Sequence, residues 1–498
     1  MIADLQNIKY VYFVGIGGIG MSALARWFNA NGREVVGYDR SQTVLTKELE
    51  SENIAIHYDN KNNSDDKNNS AAIHGNVDLI PEHFRTNKAQ VLVIYTPAVP
   101  KNHSELLYFQ QHGFIIKKRA EVLGLISQNM RCIAVAGTHG KTTTSSMIAH
   151  ILTYSGVDCA AFLGGITQNY KTNLLLNKTQ SKDTFVVVEA DEYDRSFLQL
   201  FPEIAVITST DADHLDIYGS EAEVQNSYAT FATQVTTTLF ANLHANIYQN
   251  SENNNHKNSE NITELQADLN LYALNPFATD SSIKNEGIFA TNIHIKNARF
   301  VFNYVSNQVS INEIILIIPG FHNVENAVAA ISVALAIGID ATKIKEALAN
   351  FRGVKRRFEY IFESENHIQI DDYAHHPTEI RAFLESVRAL YPNRHITAVF
   401  QPHLFSRTKD FYQDFAKSLS LADRLVLLPI YPARELQADF PTINSQIILD
   451  LVTIQDKQVI DYQHVTTFLQ TQKNDIVCTI GAGDVEGLIM PIKIMMAI

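Results

Sequence analysis

Short apolar runs and amphipathic stretches alternate along most of the chain. Residues 10–14, 91–95, 132–136, 184–188, 204–208, 368–372, 396–400, 424–428 and 475–480 are brief and mostly apolar, as strands buried on both faces of a parallel sheet must be. Apolar residues at helical spacing come after several of them. Met21, Leu24 and Trp27 lie behind the first, and Met147, Ile148 and Ile151 behind the third, with Ala327, Ala330 and Val333 further on. Residues 34–38 add a strand that ends at Asp39, residues 105–112 a short helix, and residues 114–117 another strand. Strand-like alternation returns between residues 293 and 318. Strands alternating with helices predict an α/β protein built on doubly wound sheets. Two Asn-rich stretches of low complexity, residues 60–70 and 249–261, interrupt the pattern and read as surface insertions.

Composition narrows the class. A chain of 498 residues predicts about three domains, and 46% hydrophobic residues supply several cores. The formal charge of -13 argues against nucleic acid as the main partner, while leaving phosphate ligands open, because they need only local positive charge. Cys132, Cys159 and Cys478 are scattered through apolar segments and read as buried thiols rather than a disulfide framework. No secretion signal opens the chain, and no apolar run reaches about 18 residues. The expectation is a cytoplasmic protein with no membrane insertion, either monomer or dimer.

Candidate chemistry centres on residues 132–151. A buried strand leads into Gly137-Thr138-His139-Gly140-Lys141-Thr142, and a helical pattern runs on from Thr143. Free N–H groups at such a helix start, with the helix dipole behind them, make an anion site. Lys141 adds a mobile positive charge for terminal phosphates, and the Thr142 hydroxyl suits Mg²⁺. Val135 stands where the usual phosphate loop has its first glycine, so this is a shorter variant. The strand 184–188 ends in Glu189-Ala190-Asp191-Glu192-Tyr193-Asp194, where an acid beside a bound triphosphate holds Mg²⁺, and Glu189 is the first acid after the strand. The strand 204–208 leads into Asp211-Ala212-Asp213-His214, which makes His214 a metal or phosphate candidate.

Further candidates flank this centre. Gly15-Ile16-Gly17-Gly18-Ile19-Gly20, followed by Met21 and Ser22, joins a strand to a helix, and Asp39 closes the next strand. That fingerprint suits NAD, FAD or any ligand with a diphosphate and a ribose, including a nucleotide sugar. Thr96 and Pro97 follow the strand 91–95, at the end where such sheets bind ligands. His322, Asn323 and Asn326 open a helix, where the Asn side chains either cap it or face an adenine edge. Arg352, Lys355, Arg356 and Arg357 form a basic cluster that is either a solvated turn or a phosphate clamp. Beyond it, Asp371-Asp372-Tyr373-Ala374-His375-His376-Pro377 and Gln401-Pro402-His403-Leu404-Phe405-Ser406-Arg407 each follow a strand, and Gly481-Ala482-Gly483-Asp484 follows the last.

Taken together and in this order, GTHGKTTT, EADEYD, DADHLD, GFHNVEN, RRF and DDYAHHP resemble the Mur ligases, the ATP-dependent amino-acid ligases of peptidoglycan synthesis. The resemblance covers nearly the whole chain. It implies a Rossmann-like UDP-sugar domain over residues 1–121, a central phosphate-loop ATP-binding domain over 122–350, and a Rossmann-like domain over 351–498 that binds the amino acid and completes the ATP site. GIGGIGMSALA is most similar to the member that adds the first amino acid, which implies UDP-N-acetylmuramate and L-alanine as substrates, with ATP and Mg²⁺. It further implies that Gly137, Thr138, His139, Gly140, Lys141, Thr142 and Thr143, with His322, Asn323, Asn326, Arg357 and Asp372, bind ATP. Thr142 and Glu189 would hold one Mg²⁺ and His214 a second; Lys141, Glu189, His214, Arg357 and Asp372 would carry catalysis. Gly15, Gly17, Gly18, Ile19, Gly20, Met21, Ser22, Asp39, Thr96 and Pro97 would hold the UDP-sugar, and Tyr373, His376, His403 and Arg407 the amino acid. Ala374 and Leu404 depart from the family pattern, which has Gly and often Arg there. Two other readings remain: a ligase for other substrates, such as a recycled tripeptide or folate, and a nucleotide-sensing regulator. Folate ligases lack the amino-terminal domain, and a regulator has no need of Glu189, His214, Arg357 and Asp372 together.

Overall fold

A computed structural model of the chain describes residues 7–59, 75–100, 102–179, 181–211, 215–245, 265–274, 287–433 and 435–497. They form two compact units. One holds the described residues up to Ala273 together with Val328–Ala347, and the other holds Ala290–Ala327 and the chain from Leu348 onward.

The first unit contains two sheets. Strands β1 (Tyr10–Val14), β2 (Glu34–Asp39), β3 (Ala55–Tyr58), β4 (Val91–Tyr95) and β5 (Ile115–Lys118) make a parallel sheet in the order β3-β2-β1-β4-β5. Helices α1 (Ile19–Ala30), α2 (Val44–Ser51), α3 (Glu82–Thr86), α4 (Ser104–Gln111) and α5 (Arg119–Ser127) belong to it. In the second sheet, β6 (Arg131–Ala136), β7 (Cys159–Phe162), β8 (Leu174–Leu175), β9 (Phe185–Glu189), β10 (Ile204–Ile207), β11 (Thr238–Asn242) and β12 (Asp268–Leu274) run in the order β8-β7-β9-β6-β10-β11-β12. Helices α6 (Lys141–Tyr154), α7 (Leu215–Tyr218) and α8 (Glu221–Thr233) accompany it. Val11, Phe13, Leu92, Ile94, Ile133 and Val135 are wholly buried, because helices cover both faces, and this explains the continuous apolar runs.

In the second unit, β13 (Ile288–Lys296) precedes an antiparallel pair, β14 (Arg299–Val305) and β15 (Ser310–Leu316). The chain continues through α9 (Phe321–Ala336) and α10 (Ala341–Asn350), of which Val328–Ala347 count with the first unit. A six-stranded sheet follows, built from β16 (Glu359–Glu363), β17 (Ile368–Asp372), β18 (Ile396–Phe400), β19 (Arg424–Leu427), β20 (Asp456–Val459) and β21 (Ile476–Ile480) in the order β16-β17-β21-β18-β19-β20. Only β16 is antiparallel to its neighbour. Helices α11 (Pro377–Leu390), α12 (Phe405–Leu419), α13 (Gln446–Leu449), α14 (Val465–Gln470) and α15 (Ile489–Met496) complete the unit.

Local differences from the sequence reading have physical causes. Helix α6 starts at Lys141 rather than Thr143, since Gly140, at φ 81°, is itself the cap residue. Strands β3, β7, β8, β16 and β20 are too short or too polar to stand out. Among the described residues, no helix is long and apolar enough to cross a membrane.

Candidate active site

In both sheets of the first unit, the first strand in sequence sits between two later ones. β1 lies between β2 and β4, and β6 between β9 and β10. The carboxyl ends of such strands open into a ligand crevice, and the predicted glycine turn and phosphate loop follow β1 and β6 there.

At the first crevice, Gly15 turns the chain at φ 85° and donates its N–H to the Tyr38 carbonyl at 2.8 Å. Gly17 donates its N–H to the Asp39 carboxylate at 2.7 Å. A Cβ at Gly17 would stand 2.8 Å from both Asp39 Oδ2 and Thr46 Cγ2, so only glycine lets the acid close on the turn. Burial raises the pKa of Asp39, and the Gly17 amide partly offsets this. Thr96 packs beside Gly15, and Pro97 is exposed. Ser22 is taken up structurally: its N–H goes to Gly18, its hydroxyl to the Ile19 carbonyl, and Asn173 donates to it at 3.1 Å. Met21 is buried in the core, which leaves its backbone as the part that can serve a ligand.

At the second crevice, the phosphate loop is braced by the strand end of β10. Thr208 donates its N–H to Ala136 at 3.0 Å and its hydroxyl to His139. Thr138 donates its N–H to Ser209 and its hydroxyl to Asp211, and His139 donates its N–H to the Ser209 hydroxyl at 2.9 Å. Gly137, at φ 130°, lies against Ser209 N, where a Cβ would come within 2.8 Å. The first helical bond of this terminus runs from Thr144 N to Gly140 O, so the amides of the first turn have no partner within the helix. Lys141 folds back over the loop. Its ammonium donates to Gly137 O at 2.7 Å and Thr138 O at 3.2 Å, and pairs with Glu192 at 2.8 Å. Burial acts against the ammonium, but Glu192, Glu189 and Asp191 outweigh it and push its pKa up, so it stays charged.

Glu189 ends β9 and accepts the Gly164 N–H at 3.0 Å. A Cβ on Gly164 would collide with that carboxylate, so the glycine forms a cradle for it. Thr142 stands in the first turn of α6. A hydroxyl and a cradled carboxylate beside free amides are oxygen donors of the kind that Mg²⁺ takes, and they fit that ion. His214 lies outside the described residues.

The second unit gathers the rest. Asp372 ends β17 and is buried; it accepts Phe358 N at 2.7 Å and Ala374 N at 2.8 Å. Burial pushes its pKa up to about 6 against the pull of Arg357 and of those two amides. Arg356 and Phe358 lie at φ 61° and 47°, a left-handed kink that holds Arg357 between them. Arg357 lies over the Tyr373 ring, with its guanidinium carbon 5.5 Å from the centroid, and 3.8 Å from Glu379. His322 is held neutral, its pKa lowered to about 4 by burial, with Glu379 opposing and Arg357 adding to the shift. Asn323 donates to the Pro319 carbonyl at 2.7 Å, and Asn326 donates to Asn323 at 3.4 Å, both buried. His376 caps α11, and its ring packs edge-on against Phe411. His403 stacks on Tyr431, and Arg407 is buried in the first turn of α12.

Comparison with known proteins decides the family. Residues 10–131 match the Mur ligase family catalytic domain, residues 135–334 the Mur ligase middle domain, and residues 356–483 the Mur ligase glutamate ligase domain. The chain is 45% identical over 490 residues to the UDP-N-acetylmuramate–L-alanine ligase of Flavobacterium psychrophilum, covering 98% of each chain. It is 43% identical over 495 residues to the enzyme of the same name from Cytophaga hutchinsonii, covering 99% of this chain and 98% of the other. The chain belongs to the Mur ligase family. A crystal structure of UDP-N-acetylmuramate-alanine ligase from Thermotoga maritima is similar over 97% of this chain and 98% of the other, with a TM-score of 0.74 and 27% identity. The murein peptide ligase of Psychrobacter arcticus shares the fold at a TM-score of 0.65 and 22% identity, covering 98% of each chain.

Within this Mur ligase the predicted residues fall into two groups. Gly15 to Gly20, Asp39, Thr96, residues 137–143 and Glu189 belong to the first unit; His322, Asn323, Asn326, Arg357, Asp372, Tyr373, His376, His403 and Arg407 belong to the second. Sequence reasoning missed three carboxylates of consequence. Glu192 neutralises Lys141, and nothing distinguished it from its acidic neighbours. Glu379 accepts the N–H groups of His375 and His376; its place three residues after His376 is a capping-box signal. Glu435 accepts the amides of Phe405 and Ser406 at the start of α12 from 30 and 29 residues away, beyond any local signal.

Proposed function

We propose that this Mur ligase joins L-alanine to the lactyl carboxylate of UDP-N-acetylmuramate at the expense of ATP, in peptidoglycan precursor synthesis. Near-full-length identity of 45% to a ligase of that name carries the reading. The three-domain α/β fold is divided at residues 1–121, 122–350 and 351–498, which hold the UDP-sugar, ATP, and the amino acid with the rest of the ATP site. The substrate carboxylate attacks the γ-phosphorus of ATP, the bond to the bridging oxygen breaks, and ADP leaves an acyl phosphate. The alanine amine then attacks the acyl carbon, phosphate departs, and the amine loses a proton as the amide forms. Catalysis of the first step is mainly positioning and charge neutralisation.

Each group has a part. The free amides of residues 140–143 cradle phosphate oxygens, and Lys141, exchanging Glu192 for the nucleotide, neutralises the transferring group. Thr142 and Glu189 would hold Mg²⁺, and His214 would serve a second ion. When bound, Mg²⁺ draws charge from the phosphates. Arg357, fixed by the Asp372 kink, adds a cation, and His322, Asn323 and Asn326 face the adenine. Tyr373, His376, His403 and Arg407 hold the amino acid. The protein acts in the cytoplasm.

The test is ADP release that requires both UDP-N-acetylmuramate and L-alanine, run against glycine, L-serine and the recycled tripeptide. Turnover with the tripeptide and none with L-alanine would replace the reading with the recycling ligase. Nucleotide binding without turnover would indicate a regulator.

A further inference from the structure

Arg119 packs against the glycine-rich turn. It opens α5 at the carboxyl end of β5, in the same sheet as β1. Of the turn's glycines, Gly20 lies directly beneath its guanidinium. A Cβ there would collide with one terminal nitrogen and stand 3.2 Å from Arg119 Cδ and Cζ. The other terminal nitrogen donates to Asp191 Oδ2 at 2.9 Å. Asp191 stands between Glu189, the cradled carboxylate, and Glu192, the partner of Lys141. Arg119 therefore lies between the sugar-nucleotide turn and the phosphate loop, where an acid substrate must extend from one to the other.

Lys118 repeats the arrangement, pairing with Asp194 at 2.8 Å. The acidic loop it meets is bent sharply, with Asp194 and Arg195 both at φ 55°. Non-glycine residues at such angles are strained and persist only where their surroundings fix them. The Tyr218 hydroxyl donating to Glu192 O at 2.6 Å and the Arg195 pair with Glu223 at 3.2 Å are among those fixings. Asp191 also accepts the Tyr193 N–H at 3.0 Å, so it keeps a partner if Arg119 turns away. Ile19, Gly20 and Met21 have no helical acceptor for their amides, because the first α1 bond runs from Ser22 N to Gly18 O. An anion seated on those amides would sit beside Arg119, whose planar fork suits phosphate and carboxylate oxygens alike.

We propose that Arg119 is a substrate-binding residue that exchanges Asp191 for an anionic group of the nucleotide-sugar substrate, its diphosphate or its lactyl carboxylate. The inference rests on reading the glycine-rich turn as the nucleotide-sugar site. Asp191 is then a placeholder that holds the guanidinium ready, and the two members of one ion pair have opposite effects on binding.

Calorimetric titration of the full-length protein tests this without turnover. UDP-N-acetylmuramate and UDP-N-acetylglucosamine, which lacks the lactyl carboxylate, are the two probes. Arg119→Ala should weaken UDP-N-acetylmuramate by roughly tenfold or more, as loss of a charged hydrogen bond does. Arg119→Lys, which keeps the charge without the fork, should fall between, and Asp191→Asn should bind as tightly as the unmodified protein or more tightly. If the diphosphate is the partner, Arg119→Ala weakens both probes; if the carboxylate is the partner, only UDP-N-acetylmuramate suffers. Equal binding by the unmodified protein, Arg119→Ala and Arg119→Lys would overturn the proposal, as would parallel losses in Arg119→Ala and Asp191→Asn, the mark of a merely structural pair. Failure of the unmodified protein to bind UDP-N-acetylmuramate would instead overturn the reading of the turn.

Discussion

Replacing Lys141 should cost stability as well as activity, and a double variant should separate the two losses. At the sequence level Lys141 is a mobile charge whose removal leaves the fold intact. In the structure its ammonium lies 2.8 and 2.9 Å from the two oxygens of Glu192, and the side chains are only 13% and 5% exposed. Lys141→Met removes the cation and leaves that carboxylate buried without it. Breaking a buried pair in this way destabilises by about 3–5 kcal/mol, whereas replacing both partners with neutral groups is often nearly neutral. Lys141→Met with Glu192→Gln should therefore recover most of the stability. It should not recover the rate. Loss of a charge on the transferring group costs about 2.7–4 kcal/mol, a factor of about 10² to 10³. Urea denaturation midpoints and ATP-dependent product formation at saturating substrates measure the two effects. A double variant with near wild-type turnover would show that Lys141 serves only as a counter-ion. A single variant as stable as the unmodified protein would refute the buried-pair argument.

Three further outcomes are expected. Gly164→Ala should drive the new methyl into the Glu189 carboxylate, raising the Mg²⁺ concentration needed for half-maximal rate with little change in the ATP-free unfolding midpoint; an unchanged Mg²⁺ titration would place Glu189 away from the metal. Asp372 has its pKa pushed up to about 6, chiefly by burial, from an ordinary value of 3.8. The folded protein thus binds the extra proton between those values, and stability should fall by about 3 kcal/mol as pH rises through them; Asp372→Asn should flatten that part of the denaturation profile, and an unaltered profile would show that Asp372 titrates normally. Several Mur ligases carry a carbamylated lysine at the second metal, but residues 217–255 contain no lysine, so bicarbonate should not raise the rate of a CO₂-depleted enzyme.

What the sequence made legible was local in origin. The phosphate loop is a strand, a glycine turn and a helix start within one short stretch, and β6, Gly140 and α6 form it as periodicity requires. Asp39 was legible for the same reason, being the last residue of an apolar run after a glycine turn. Non-local partners left no such mark. Glu192 meets Lys141 across 51 residues, and Arg119 meets Asp191 across 72. Strand order decides the first meeting, because placing β9 beside β6 brings the acidic loop to the phosphate loop, while the second joins the start of α5, beyond one sheet, to a loop of the other. A sequence pattern gives the strands but not which of them are neighbours.

The doubled residues Arg356-Arg357 and Asp371-Asp372 show the limit most clearly. Each pair is two like charges side by side, and no spacing rule ranks one above the other. The structure divides them sharply. Arg356 is buried and tied to Asp371 at 2.9 Å, with a second bond to Gly481 O at 2.7 Å, while Thr479 donates to Asp371 at 2.5 Å. That set joins the kink before β16 to the centre of the sheet. Arg357 and Asp372, one residue on in each case, make a separate set, and Asp372 accepts the Phe358 amide at 2.7 Å. Asp372 thereby holds Phe358 in its left-handed conformation and sets the direction of Arg357. Asp371 and Asp372 are adjacent in β17 and point to opposite faces, while the left-handed kink parts Arg357 from Arg356, so one Arg–Asp pair anchors the strand end and the other is free of that task. It follows that Arg356→Ala and Arg357→Ala should fail differently. The first should lower the unfolding midpoint sharply, because Asp371 loses its counter-charge in a buried place. The second should leave the midpoint nearly unchanged and depress turnover. If Arg357→Ala unfolds as readily as Arg356→Ala, the division of labour argued from the kink is wrong.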